Sequence, residues 1–132
     1  MANKLDKIYS KAKVTITEND RVKAVLQEAR AKIEKIGEST EEKSIFIRQL
    51  QLLIRMVKAH FSGEYHAFSM PTILSVIFAL VYFITPIDLI PDFIPALGLS
   101  DDISIVYFIF KSISDDIERF EEWESSLNAQ AD

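Results

Sequence analysis

The sequence predicts an all-α protein: a small helical bundle with a central apolar helical hairpin, its two arms joined by a proline- and aspartate-rich turn. Three observations carry that prediction. Apolar residues recur at helical spacing through residues 20–36 and 41–61. A further stretch, Ala67 to Ile87, runs for 21 residues without a charge. Only three glycines interrupt a chain of 132 residues that is 48% hydrophobic, a composition that gives one domain a modest core and argues against a loop-rich scaffold. The absence of cysteine excludes disulfides, thiolate zinc sites and thiol nucleophiles.

Residues 1–13 are polar and basic with no apolar run behind them, which argues against a cleavable secretory signal and leaves the amino-terminal half expected in the cytoplasm. The first helix is expected to start near Thr17 to Asp20, where a threonine and acidic residues suit a helix beginning, and to carry Val22, Val25, Leu26, Ala29, Ile33 and Ile36 on one face. Gly37 stops it. Ser39 with Glu42 three residues on reads as a capping box for a second helix, which should run to about Phe61 before Gly63. In that helix Ser44, Arg48, Gln51, Arg55, Lys58 and Ser62 form a narrow polar stripe, while Ile45, Ile47, Leu50, Leu53, Ile54, Val57 and Phe61 cover most of the remaining circumference. Such a helix is expected to be buried on nearly all sides.

The apolar helix that follows has Pro71 in its first turn and Pro86 at its end, leaving about 15 helical residues where a simple membrane crossing takes about 20. Beyond the turn, Ser100 suits an N-cap, and Asp101 and Asp102 suit the positive end of a helix dipole. The helix they open is expected to be apolar all round from Ile103 to Phe110. It then turns amphipathic, with Ile113, Ile117, Phe120 and Leu127 as a stripe among acidic residues. Three regions of one folded unit result: a basic amphipathic region (1–66), the apolar hairpin (67–113) and an acidic amphipathic helix end (114–132). Tyr65, Tyr82, Tyr107 and Trp123 read as core or interface aromatics, since such rings favour a boundary between apolar and wet surroundings.

Charge divides the chain. Residues 1–60 hold 13 Lys and Arg against 8 Asp and Glu, whereas residues 61–132 hold 2 against 12. Opposite signs let the halves attract each other in the folded monomer. The lysines are spread around helices and the acidic half repels phosphate, so no nucleic-acid partner is expected. Arg48, Arg55 and Lys58 precede the hairpin, Lys111 and Arg119 follow it, and the turn from Thr85 to Asp102 holds no basic residue. That distribution fits a hairpin with both termini cytoplasmic. The same periodicities also fit a bundle in which the hairpin is the protein core.

The turn itself carries the densest pattern: Pro86, Ile87, Asp88, Leu89, Ile90, Pro91, Asp92, then Pro95, Gly98, Asp101 and Asp102. It resembles the signature of the YkvA-like family, small bacterial proteins carrying a domain of unknown function. The resemblance covers about Pro71 to Ile113 and implies an integral or envelope-associated protein with two hydrophobic segments. One departure is that Gly63 to Pro71 lacks the basic residue and tryptophan associated with that position in relatives, which weakens any implied docking role there.

Two readings of the aspartates stand side by side. Asp88 and Asp92 are four residues apart, and Asp101 with Asp102 could fold back to meet them in an oxygen-rich site for Mg or Ca. Capping accounts for the same residues: Thr85 with Pro86 starts a short helix, Asp88 and Asp92 take first-turn positions, and Gly98 supplies a positive φ before Ser100. His60, Glu64 and His66 are a weaker candidate for zinc, at a spacing that matches no familiar motif. There is no glycine-rich phosphate loop, no Ser-His-Asp elbow and no repeat. The sequence therefore predicts a non-enzymatic protein without cofactor, at the inner membrane or its cytoplasmic face, whose hairpin anchors it and whose amphipathic helices bind a protein partner. A soluble helical adaptor and a divalent-metal-dependent activity at the aspartates are the alternatives.

Overall fold

The computed structural model describes residues 2–37, 40–85 and 105–131. These form six helices and, among the described residues, no strand: α1 (Ala2–Thr15), α2 (Asn19–Ile36), α3 (Glu41–Phe61), α4 (Met70–Ile84), α5 (105–112) and α6 (Ser114–Ala131). The all-α bundle expected from the sequence is present, with α4 at its centre. Ile73, Val76, Ile77, Ala79, Leu80, Val81 and Phe83 are wholly buried, and α1, α2 and α3 all pack on α4.

Local chemistry sets α4's ends. Ser69 is the N-cap, its hydroxyl accepting from the Thr72 amide at 3.3 Å, and Pro71 occupies the first turn where its missing N–H costs nothing. At the other end the Thr85 amide and hydroxyl both donate to the Val81 carbonyl, at 2.9 and 2.6 Å. The 15 residues between span about 22 Å at 1.5 Å each, against a hydrocarbon layer of about 30 Å. Among the described residues no helix is long and apolar enough to cross a membrane. The membrane-spanning helix that an inserted hairpin would need is therefore not found among the described residues, and α1, α2 and α3 pack on α4.

α2 follows the sequence reading, with Val22, Val25, Leu26, Ala29 and Ile33 buried and Gly37 ending it at φ 68°. α3 starts one residue later than the proposed capping box implies. Its N-cap is Thr40, whose side chain accepts from the Lys43 amide at 3.1 Å; Ser39 lies outside the described residues. With lysine three residues after the cap, no carboxylate returns the bond. The polar stripe of α3 does face outward at Arg48, Gln51, Arg55 and Lys58, and Gly63, two residues past the end of the helix, has φ 84°. Ile45, expected inside, is exposed.

α1 was absent from the sequence reading. Its buried stripe is Ile8, Ala12 and Thr15, and it packs chiefly on α4 and also on α2. The Thr15 hydroxyl satisfies itself on the Lys11 carbonyl at 2.6 Å, which lets a polar residue lie inside.

The last expected helix is two. A turn at Ile113 separates α5 from α6, although Ile113 still donates to the Ile109 carbonyl and Ile117 to that of Ile113. The Ser112 hydroxyl returns to the Ile109 carbonyl at 2.8 Å, the kind of bond that bends a helix. α5 buries Val106 and Ile109 but leaves Tyr107 and Phe108 exposed, and Leu127, expected on the stripe of α6, is exposed as well. Tyr65, Phe68, Phe120 and Trp123 form a cluster with ring centroids 4.6 to 5.6 Å apart that ties the α3–α4 link to α6. The charge division of the chain is visible in one contact. Arg55 holds Glu124 with two bonds, at 2.8 and 3.3 Å.

Candidate functional site

Pro86, Asp88, Pro91, Asp92, Pro95, Gly98, Asp101 and Asp102, the residues expected in the turn, all lie outside the described residues. Their flanks are described. On the α4 side, Lys32 of α2 donates its ammonium to the Phe83 carbonyl and sits 4.7 Å above the Phe83 ring, which in turn meets Phe46 edge-on at 5.7 Å. A cation at the carboxyl end of a helix is favourably placed against its dipole. On the other side, α5 presents Tyr107 and Phe108 at 55% and 72% exposure, a large apolar display for so short a helix.

Beside α5 lies an open cleft of about 370 Å³, lined by Ile45, Arg48, Leu52, Arg55, Phe110 and Glu121 among others. It offers two guanidiniums and one carboxylate but no hydroxyl, thiol or imidazole nucleophile.

His60, Glu64 and His66 do not converge. Glu64 accepts from the Ser62 hydroxyl at 3.0 Å, His66 is exposed, and His60 packs between Phe61 and Phe68 with centroids 4.9 and 6.1 Å away. Among the described residues no three side chains of metal-ligating type are grouped to hold an ion. The His60 Nδ1 is buried without a hydrogen-bond partner. Burial, and after it the charge of His66, hold the His60 pKa below its usual value.

A polar relay that sequence reasoning missed joins α4 to α6. Ser69 donates its hydroxyl to Thr72 Oγ1 at 3.0 Å, and Thr72 donates onward to Asp116 Oδ2 at 2.7 Å. Arg119 stands 3.9 Å from the other oxygen of Asp116. Close by, burial and then Asp116 raise the Tyr65 pKa above its usual value. The only sequence cue was the Ser-x-x-Thr pair at the start of the apolar run. The relay ties α6 to the first turn of α4.

Two likenesses bear on this region. Residues 72–108 match the family described as "Protein of unknown function (DUF1232)", a span that takes in most of α4, residues 86–104 and the first half of α5. The "Uncharacterized membrane protein YkvA" of Bacillus subtilis (strain 168) is 29% identical over 77 residues, covering 58% of this chain and 73% of that protein. Over this region the chain is similar to the YkvA-like family. No solved structure matches it. The family match begins at Thr72, the middle of the relay, and ends at Phe108, the most exposed ring of α5. Neither likeness carries a catalytic assignment for a YkvA-like protein.

Proposed function

We propose that the chain is a non-enzymatic, membrane-associated helical protein that meets the inner membrane at its cytoplasmic face through the hairpin region, leaving α2 and α3 in the cytoplasm to receive a protein partner. The observation that carries this reading is the likeness to a relative whose name calls it a membrane protein. The packing of α4 bears on how such contact would be made. α4 is too short to cross and has three helices packed on it, so among the described residues of the hairpin region the exposed edge of α5 is a surface free to touch lipid. Tyr107 and Phe108 are suited to the boundary between headgroups and acyl chains, where aromatic rings accumulate. Contact of this kind keeps both termini on one side.

Fractionation of the protein expressed at low level tests the proposal. Recovery with membranes, release by alkaline carbonate, and weaker retention of a Tyr107→Ser/Phe108→Ser variant are expected. Release only by detergent would mean that the hairpin inserts, overturning the surface contact but not membrane association. Recovery as a discrete soluble species would overturn the membrane reading itself and favour the adaptor.

A further inference from the structure

We infer that α1 is an electrostatic foot that selects anionic phospholipid surfaces, an inference that rests on the membrane-associated reading and adds the lipid class to it. The helix carries Lys4, Lys7, Lys11 and Lys13 against a single carboxylate, Asp6. Lys7, Lys11 and Lys13 are exposed. Between them stand apolar side chains that the bundle does not cover: Leu5, Tyr9 and Val14. Tyr9 lies against Phe78 of α4 with ring centroids 6.4 Å apart, and the Lys13 ammonium sits 4.9 Å over the Tyr9 ring, so an aromatic and a cation are already held together at the rim of α1.

Placement of the opposite charge gives this face a direction. α6 carries six carboxylates against one arginine. It is tied to α3 through Arg55 and Glu124 and to the start of α4 through Thr72 and Asp116, whereas α1 packs on α4 and α2. The cationic and anionic helices thus flank different parts of the bundle, and a negatively charged plane attracts one while repelling the other. A basic helix with aromatic and aliphatic side chains among its lysines matches the chemistry of an anionic bilayer surface, where each lysine near the plane adds about fivefold to partitioning and the apolar side chains enter the headgroup layer. A net charge of -5 argues against indiscriminate binding to polyanions. What binds is a local face, not the whole molecule.

Flotation of the full chain with phosphatidylcholine vesicles, with and without phosphatidylglycerol, tests the inference at low and raised ionic strength. Binding only to the phosphatidylglycerol vesicles, weakened by salt, is expected. A Lys7→Gln/Lys11→Gln/Lys13→Gln variant should lose affinity on the order of a hundredfold while keeping its helical circular dichroism. A control with the same charge loss elsewhere, Lys23→Gln/Lys35→Gln/Lys58→Gln, should stay within about threefold of the parent. Equal flotation with both vesicle types, or equal loss in variant and control, would overturn the role of α1 and leave membrane association standing. No flotation with either vesicle would overturn the membrane reading together with this one.

Discussion

Replacing Thr72 by valine keeps the shape of the side chain and removes one hydroxyl from the relay that fixes α6 on α4. Two bonds go: the 2.7 Å donation to Asp116 and the 3.0 Å acceptance from Ser69. The second is easily replaced, because Ser69 is exposed and turns to water. The first matters more. A hydrogen bond to a charged group contributes about 1.5 to 3 kcal/mol, and an acceptor stripped of its partner loses most when it cannot reach water. Asp116 keeps 23% of its side-chain surface exposed, which favours the lower end, about 1.5 kcal/mol. In a domain of this size that corresponds to a fall in Tm of about 5 °C. Denaturant unfolding of the parent, Thr72→Val, Asp116→Ala and the double variant gives the coupling directly, with the dipole contribution of Asp116 cancelling in the cycle. A coupling of about 1 kcal/mol is expected; a value under about 0.3 kcal/mol, or Thr72→Val indistinguishable from the parent, would refute the relay.

Two further outcomes follow from single groups. The folded state holds His60 neutral more strongly than the unfolded chain does, its pKa being lowered from 6.5. As pH falls below 6.5, the unfolded chain takes up a proton that the folded one resists, so stability declines until the folded His60 itself is protonated. Denaturant midpoints measured from about pH 8 to 5 should fall less steeply in His60→Gln than in the parent, and parallel slopes would remove His60 as the cause. The cap of α3 gives the other: Thr40→Ala should cost about 1 kcal/mol, by loss of the bond to the Lys43 amide. Ser39→Ala tests the assignment, since a cost as large as that of Thr40→Ala would return the cap to Ser39.

Where the sequence was legible, one physical signal dominated. α4 could be bounded because Pro71 and Pro86 punctuate an unbroken apolar run, and the expected length of about 15 residues is the length found. α2 could be read because five apolar residues share one face and Gly37 ends it. α1 could not, because its buried stripe is an isoleucine, an alanine and a threonine, and burial there depends on close approach to α4 and on a hydroxyl that satisfies itself. Nothing in its composition separates that from a basic tail. The exposed Ile45, Phe108 and Leu127 were misplaced for the converse reason: hydropathy states a preference, whereas exposure depends on whether a neighbouring element reaches the residue. The Thr40 cap and the Ile113 turn rest on a competition between adjacent hydroxyls and on a back-bonded serine, and neither leaves a periodic trace. The Thr72–Asp116 contact joins residues 44 apart, beyond what local pattern can show.

The apolar run of α4 admitted two solvents, lipid and protein, and periodicity alone cannot choose between them because a helix apolar all round satisfies either. Burial chooses. Seven residues of α4 have no exposed surface, and they cover about half of its circumference, with Leu74, Ser75 and Phe78 half-buried on the remaining side. Exposing them to lipid would require α1, α2 and α3 to part from it, yielding a helix about 22 Å long in a layer of about 30 Å. The gain is small, since acyl chains are no more apolar than the side chains they would replace. The membrane contact proposed above would then fall to surfaces that the bundle leaves uncovered, of which the aromatic edge of α5 and the lysine-rich face of α1 are two. They differ in what they can sense: rings respond to the depth of the interface, lysines to its charge. Salt should thus weaken retention through α1 and spare retention through Tyr107 and Phe108, a separation that the two sets of variants make measurable.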